Sequence, residues 1–121
     1  LDINDRSVEV IARTDDVLWC TYAELCEKPR SAHDYIEIAR EYHSVLLAEV
    51  PHMGSHNDDA ARRFINLVDE FYDRGVKLII SAERAILDLY DQGRLNFEFE
   101  RTQSRLQEMQ SHDYLASEHL P

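Results

Sequence analysis

The alternation of apolar and polar positions is most legible between His43 and Ser81. Ser44 to Val50 is apolar almost throughout and is followed by Pro51, which has no N–H for a further ladder bond; the run predicts a strand buried on both faces. After a loop over Pro51 to His56, Asn57 is placed to cap a helix whose first turn carries Asp58 and Asp59, acidic where the helix dipole is positive. Ala61, Phe64, Ile65, Val68, Phe71 and Tyr72 recur every three or four residues as one apolar stripe. Arg62, Arg63, Asn66, Asp69, Glu70 and Asp73 take the other side. Gly75 ends that helix, and Val76 to Ser81, short, β-branched and apolar, predicts a second interior strand. Strand, helix, strand implies a right-handed parallel crossover.

The flanks read more weakly. Val8 to Ala12 and Val17 to Tyr22 are β-prone and separated by Arg13-Thr14-Asp15-Asp16, which predicts an N-terminal hairpin. Ala23 to Cys26 is expected to form one helical turn, stopped by Pro29. Ser31 then caps a helix with Asp34 in capping-box position and Tyr35, Ile36, Ala39 and Tyr42 as its buried stripe. Ala82 to Tyr90 is helical by composition, with Ile86, Leu87 and Tyr90 on one face, and Asp91-Gln92-Gly93 ends it. Leu95, Phe97 and Phe99 alternate with polar residues, so Arg94 to Glu100 is expected to be extended. A last helix follows from about Thr102 through Leu106 and Met109, with Tyr114 and Leu115 continuing the packing before a polar tail. The fold class expected is α/β: a partial, open, mostly parallel sheet with flanking helices and an N-terminal β-hairpin, in a single domain over residues 1–121.

Composition narrows the function classes. A hydrophobic fraction of 44% with three glycines and three prolines excludes a disordered or collagen-like chain, and no apolar run reaches membrane-spanning length. The net charge of −11 opposes nucleic-acid and anionic-lipid partners. Cys20 and Cys26 are too few for a disulfide scaffold and wrongly spaced for zinc, so they are expected to be reduced thiols, one or both buried. The polar, acidic opening Leu1 to Asp5 is unlike a signal peptide; without Met it suggests a fragment of a longer protein, with the cytoplasm as the expected compartment. His52-Met53-Gly54-Ser55-His56 resembles a cloning remnant but falls between two elements, as a genuine loop would.

No glycine-rich phosphate loop is present: the three glycines stand singly and none precedes Lys-Ser or Lys-Thr. The first buried strand does not end in a carboxylate pair; Glu49 alone is acidic there. His52 and His56 with Asp58 and Asp59 could be drawn as a metal site, against the plainer reading of a polar loop. His43, between helix and strand, could act as a base or simply be a hydrogen-bonded junction residue. Ser81, at the carboxyl end of the second strand, could face a ligand or cap a helix from Ala82. Arg101 and Arg105 are four apart on one helical face, with Glu98, Glu100 and Glu108 near enough to pair with them. Ordinary solvated ion pairs are one reading; two guanidiniums presented to a phosphate or carboxylate of a neighbouring domain or subunit are the other.

Several stretches in order resemble the C-terminal part of the ZapE-type (AFG-like) AAA+ ATPases. They are Ala23 to Cys26 with Pro29-Arg30-Ser31 and Asp34-Tyr35-Ile36; Tyr42 to Val45 leading to Val50-Pro51; Asp58 to Ile65; Leu67 to Asp73; and Val76 to Ala82. Phe97-Glu98-Phe99, Arg101-Thr102, Ser104-Arg105-Leu106 and Glu108 to Ser111 complete the set. Tyr42 and Ser44 stand where Phe and Thr are usual, and Gly75 where a basic residue often stands. The resemblance implies a P-loop NTPase-like hydrolase of the bacterial cytoplasm that uses ATP and Mg, works in cell division through FtsZ, and has mitochondrial relatives in eukaryotes. It places the Walker A lysine and Walker B acidic strand N-terminal to this stretch, so the piece is expected to be inactive alone and to bind no cofactor. Its implied partners are the remainder of the ATPase chain, FtsZ and further copies of itself. Arg101 and Arg105 are carried over as trans-acting or nucleotide-sensing arginines; Ser81 is a weaker cofactor-binding candidate, from its strand-end position and not from the resemblance. The alternative is an adaptor module that docks FtsZ or another division protein without touching nucleotide.

Overall fold

The computed structural model of the chain describes residues 1–91 and 93–120. Its centre is a four-stranded sheet in the order β3 (Ala12–Arg13), β4 (Val17–Thr21), β5 (Ser44–Val50), β6 (Lys77–Ala82). β3 pairs antiparallel with β4, whereas β4, β5 and β6 are mutually parallel. The antiparallel pair is the expected hairpin with a shorter first arm. Thr14 Oγ1 accepts from the N–H groups of Asp16 (3.2 Å) and Val17 (3.0 Å) and so builds the turn. Val8 leaves the sheet because β1 (Asp2–Ile3) and β2 (Arg6–Ser7), a tiny hairpin not anticipated, draw it away: the Val8 N–H bonds the Leu1 carbonyl at 2.7 Å. Asn4 and Asp5, with φ of 51° and 65°, form its two-residue turn.

Parallel strands need crossovers. The first passes through a single wide helical turn at Ala23–Glu27 and then α1 (Ala32–Glu41). The Asp34 carboxylate accepts from the Ser31 N–H at 3.1 Å, as the capping-box spacing predicts. Tyr35, Ala39 and Tyr42 are buried as expected; Ile36 is only half-buried and Ile38 takes the core position, because the stripe is set by Tyr35, Ile38, Ala39 and Tyr42. The second crossover is α2 (Asp58–Asp73), which buries Ala60, Ala61, Phe64, Ile65, Leu67, Val68 and Phe71, while Tyr72 sits at the rim. Gly75 adopts φ +69°, the left-handed conformation that ends a helix. Leu18 and Cys20 of β4 align with Val45 and Leu47 of β5 and share one core cluster with the helical stripes.

Three expectations fail here. Val76 to Ser81 is not interior: β6 is the last strand of the sheet among the described residues, and Ile79 is 59% exposed. No helix spans Ala82 to Tyr90; only Ile86–Asp88 makes a short 3-10 turn, and Leu87 is exposed. A competing set of backbone bonds explains it, since Met53 and the segment Leu89–Asp91 exchange N–H···O bonds of 2.7 Å, which a helix would break. Gln92, part of the expected stop, and Pro121 lie outside the described residues. Arg94 to Glu100 is not extended, because α3 already begins at Asn96 and runs to Glu108. Leu95, Phe99, Thr102, Leu106 and Met109 are buried at steps of four, three, four and three, whereas Phe97, the middle of the apparent alternation, is 83% exposed. In the short α4 (His112–Leu115), Tyr114 is buried and donates to the Val76 carbonyl at 2.6 Å, but Leu115 is exposed.

Glu24, in the wide turn, is a buried carboxylate held by Arg30 (2.7 Å), Lys28 (2.7 Å) and the Glu9 N–H (3.2 Å). Burial alone would raise its pKa, but the bond from Lys28, the Glu9 N–H and the two cations together lower it. A depressed folded-state value stabilises the fold above the ordinary Glu range near 4.3, and the contribution disappears as pH falls through the lower folded value. Urea midpoints followed from pH 6 to about pH 3 should therefore fall more steeply in the wild type than in Glu24→Gln, which carries no titrating group there. Parallel curves would remove Glu24 from the acid response.

Candidate functional site

Arg101 and Arg105 emerge from α3 toward α2. Both pair with one carboxylate, Asp69: Arg101 Nη2 lies 3.2 Å from Oδ2, and Arg105 Nη1 bonds Oδ1. Of the expected partners on their own helix, Glu98 pairs with Arg62 at 3.7 Å and Glu108 accepts from the Tyr72 hydroxyl, while among the described residues Glu100 forms no ion pair with either arginine. Glu108's bond is the chief reason the Tyr72 phenol titrates above its usual range. The Arg105 guanidinium also lies 5.0 Å from the Tyr72 ring centroid, a cation–π contact. The pairs 62–98, 69–101, 69–105 and 72–108 rise together along both helices, so α2 and α3 run side by side in one direction.

One carboxylate shared by two guanidiniums leaves net positive charge and several unused N–H donors, mostly on Arg101, whose side chain is 58% exposed against 26% for Arg105. Asp69 orients the pair without saturating it. The surface beside them holds a shallow cleft of about 390 Å³ lined by Phe97, Glu98, Glu100, Arg101 and Ser104, so a large bare aromatic stands next to the freer arginine. Arg101 can offer its outward N–H donors to one further anionic group, with Phe97 as an apolar neighbour, but Glu98, paired with Arg62, and Glu100 add negative charge to the same cleft. Sequence reasoning found the two arginines but missed Asp69, Tyr72 and Phe97. Starting α3 six residues too late hid the matching flank on α2.

The other candidates do not converge. Ser81 is exposed, lies inside β6 and caps no helix; its Oγ accepts from the Glu49 N–H at 3.1 Å. That bond braces Glu49 at φ +61°, where the β5–β6 register slips between Leu47 and Val50. Asp58 is taken by Arg94 at 3.1 Å, His56 and Asp59 are exposed, and the His52 N–H bonds Glu83 at 3.3 Å. Among the described residues no group of three His, Cys, Asp or Glu side chains could hold a metal ion. His43 is a surface residue 4.0 Å from Asp16, its ring 4.3 Å from that of His119. Cys20 and Cys26 are both free and buried, and burial pushes the Cys20 thiol up to about 12 and raises Cys26 as well, so neither is a nucleophile at neutral pH. Among the described residues no helix is long and apolar enough to cross a membrane.

No solved structure matches the chain. Its sequence is 48% identical over 120 residues to the cell division protein ZapE of Escherichia coli K12, covering 99% of this chain and 32% of that protein. It is 32% identical over 149 aligned positions to lactation elevated protein 1 homolog B of Danio rerio, covering 97% of this chain and 30% of that protein. The chain thus spans about a third of the length of the curated relatives it matches. The sequence model of the AFG1-like ATPases matches residues 1–118, nearly the whole α/β unit with its paired arginines, and the chain belongs to that family.

Proposed function

We propose that these residues are the C-terminal portion of a ZapE-type, Mg-dependent ATP-hydrolysing cell division protein, and that the portion is catalytically silent alone. The observation that carries the reading is the 48% identity to ZapE of E. coli over 99% of the chain. The sequence supports silence in isolation, because hydrolysis requires a phosphate cradle that none of its three glycines can form. ATP and Mg are then held by the remainder of the polypeptide, in the bacterial cytoplasm. FtsZ and further copies of the protein are its partners through that longer chain.

Within this assembly Arg101 and Arg105 are the residues of this portion that serve catalysis. Arg101 reaches outward to the phosphates of a neighbouring domain or subunit, while Asp69 fixes the pair's direction. Calorimetric titration of ATP into the 121-residue chain and into the longer protein tests the assignment. Saturable binding by the longer protein and none by the chain is the expected result; binding by the chain alone would overturn it.

A further inference from the structure

β6 has the apolar, β-branched sequence of an interior strand but is the last strand of the sheet among the described residues. Trp19, Leu46 and Ile79 stand in one register row across β4, β5 and β6, with Ala12 of β3 next to Trp19. On the opposite face, Leu18, Cys20, Val45 and Leu47 are buried, yet Trp19 is 41% exposed and Leu46 only half-buried. Parallel sheets occur almost only with both faces covered. The two edges of the sheet also differ. β3 is two residues long and carries Arg13, an edge blunted by brevity and charge. β6 runs six residues, and from Leu78 to Ala82 it has no charge and no proline; among the described residues no further strand pairs with its outer N–H and C=O groups, which leaves them as a template. Beside that edge lies an open groove of about 720 Å³, with Leu78, Ile80, Leu87, Leu106 and Met109 among its walls.

We propose that β6 and the Trp19–Leu46–Ile79 row are an intramolecular docking surface, occupied in the longer protein by a segment of the same polypeptide that lies outside these 121 residues. That segment pairs its backbone with the free edge of β6, and apolar side chains contiguous with it cover the row. The inference rests on the reading of this chain as part of a longer ATPase. Relatives about three times as long carry sequence outside the matched stretch, from which such a segment would come. A tethered segment also has the advantage of a high effective concentration. A second copy of the chain is the weaker occupant, because each copy carries a net charge of −11 and repels its like.

Hydrogen exchange read by mass spectrometry on peptides covering residues 77–82 tests this in the 121-residue chain and in the longer protein, with Ile79→Lys made in both. The expected result is exchange slower by tenfold or more in the longer protein, together with a variant that melts like wild type in the short chain and well below wild type in the longer one. Equal exchange in both proteins, with an Ile79→Lys variant harmless in both, would overturn the proposal. So would protection in the short chain that grows with concentration alongside a doubled mass, which would make a second copy the occupant. Steady-state ATP hydrolysis by the same longer protein separates the two readings. Turnover without added protection of β6 defeats the docking surface alone, and protection without turnover defeats the ATPase assignment alone.

Discussion

Phe64→Ala is expected to destabilise the chain by about 3–5 kcal/mol, a large share of the roughly 5–15 kcal/mol by which a domain of this size is stable. Phe64 is fully buried, with ring centroids 5.9 Å from Tyr22 and 6.1 Å from Phe99, and Phe99 in turn stacks on Tyr90 at 4.9 Å. Truncation therefore opens a cavity between α2, α3 and the sheet's first crossover, which the three remaining aromatic rings cannot close by relaxing inward. Arg62→Ala, two residues away on the same helix, removes a mostly exposed side chain paired at 3.7 Å with Glu98, and should cost less than about 1 kcal/mol. Urea melts of the two variants beside wild type measure the contrast. Equal midpoints would mean that the face of α2 is misassigned.

Arg101→Ala in the longer protein is expected to lower ATP turnover by roughly a thousandfold, the scale of an arginine aimed at a transferring phosphoryl group, while leaving the fold intact. The geometry separates the two arginines. Arg105 is held by Asp69 and the Tyr72 ring, so its loss should combine a kinetic defect with a measurable fall in melting temperature. Arg101 shares only Asp69 and faces solvent, so its structural contribution should stay below about 1 kcal/mol. Steady-state hydrolysis and thermal melts of both variants check this. Wild-type turnover in both would reduce the pair to a surface ion-pair cluster. Where only one variant is slow, mixing it with a mutant lacking the phosphate-loop lysine would show whether that arginine acts across a subunit boundary.

The β5–α2–β6 unit was legible because its hydrophobic period is unambiguous over a long helix, and because Gly75 and Pro51 punctuate it for reasons of backbone geometry. Misreadings cluster where the period is short or the deciding partner is distant. Leu95, Phe97 and Phe99 alternate over too few residues to exclude a helix; only Thr102, Leu106 and Met109, read with them, show steps of three and four. Nothing local to Leu89 and Asp91 announces that their bonding partner is Met53, some 36 residues away. The site divides in the same way. The i, i+4 spacing of Arg101 and Arg105 was visible in one dimension, but Asp69 becomes their common partner only when α2 and α3 pack in parallel. β6 is the reverse case: its apolar, β-branched sequence reads as an interior strand, yet it is the last strand of the sheet among the described residues.

Phosphate release from Mg-ATP by the pure 121-residue chain, set beside that of the longer protein under identical conditions, decides whether this α/β unit is a dependent portion of an ATPase. The longer protein should turn over ATP, and the chain, although unfolding cooperatively on heating as a packed domain does, should release phosphate no faster than buffer. Magnesium-dependent turnover by the chain alone would contradict the account.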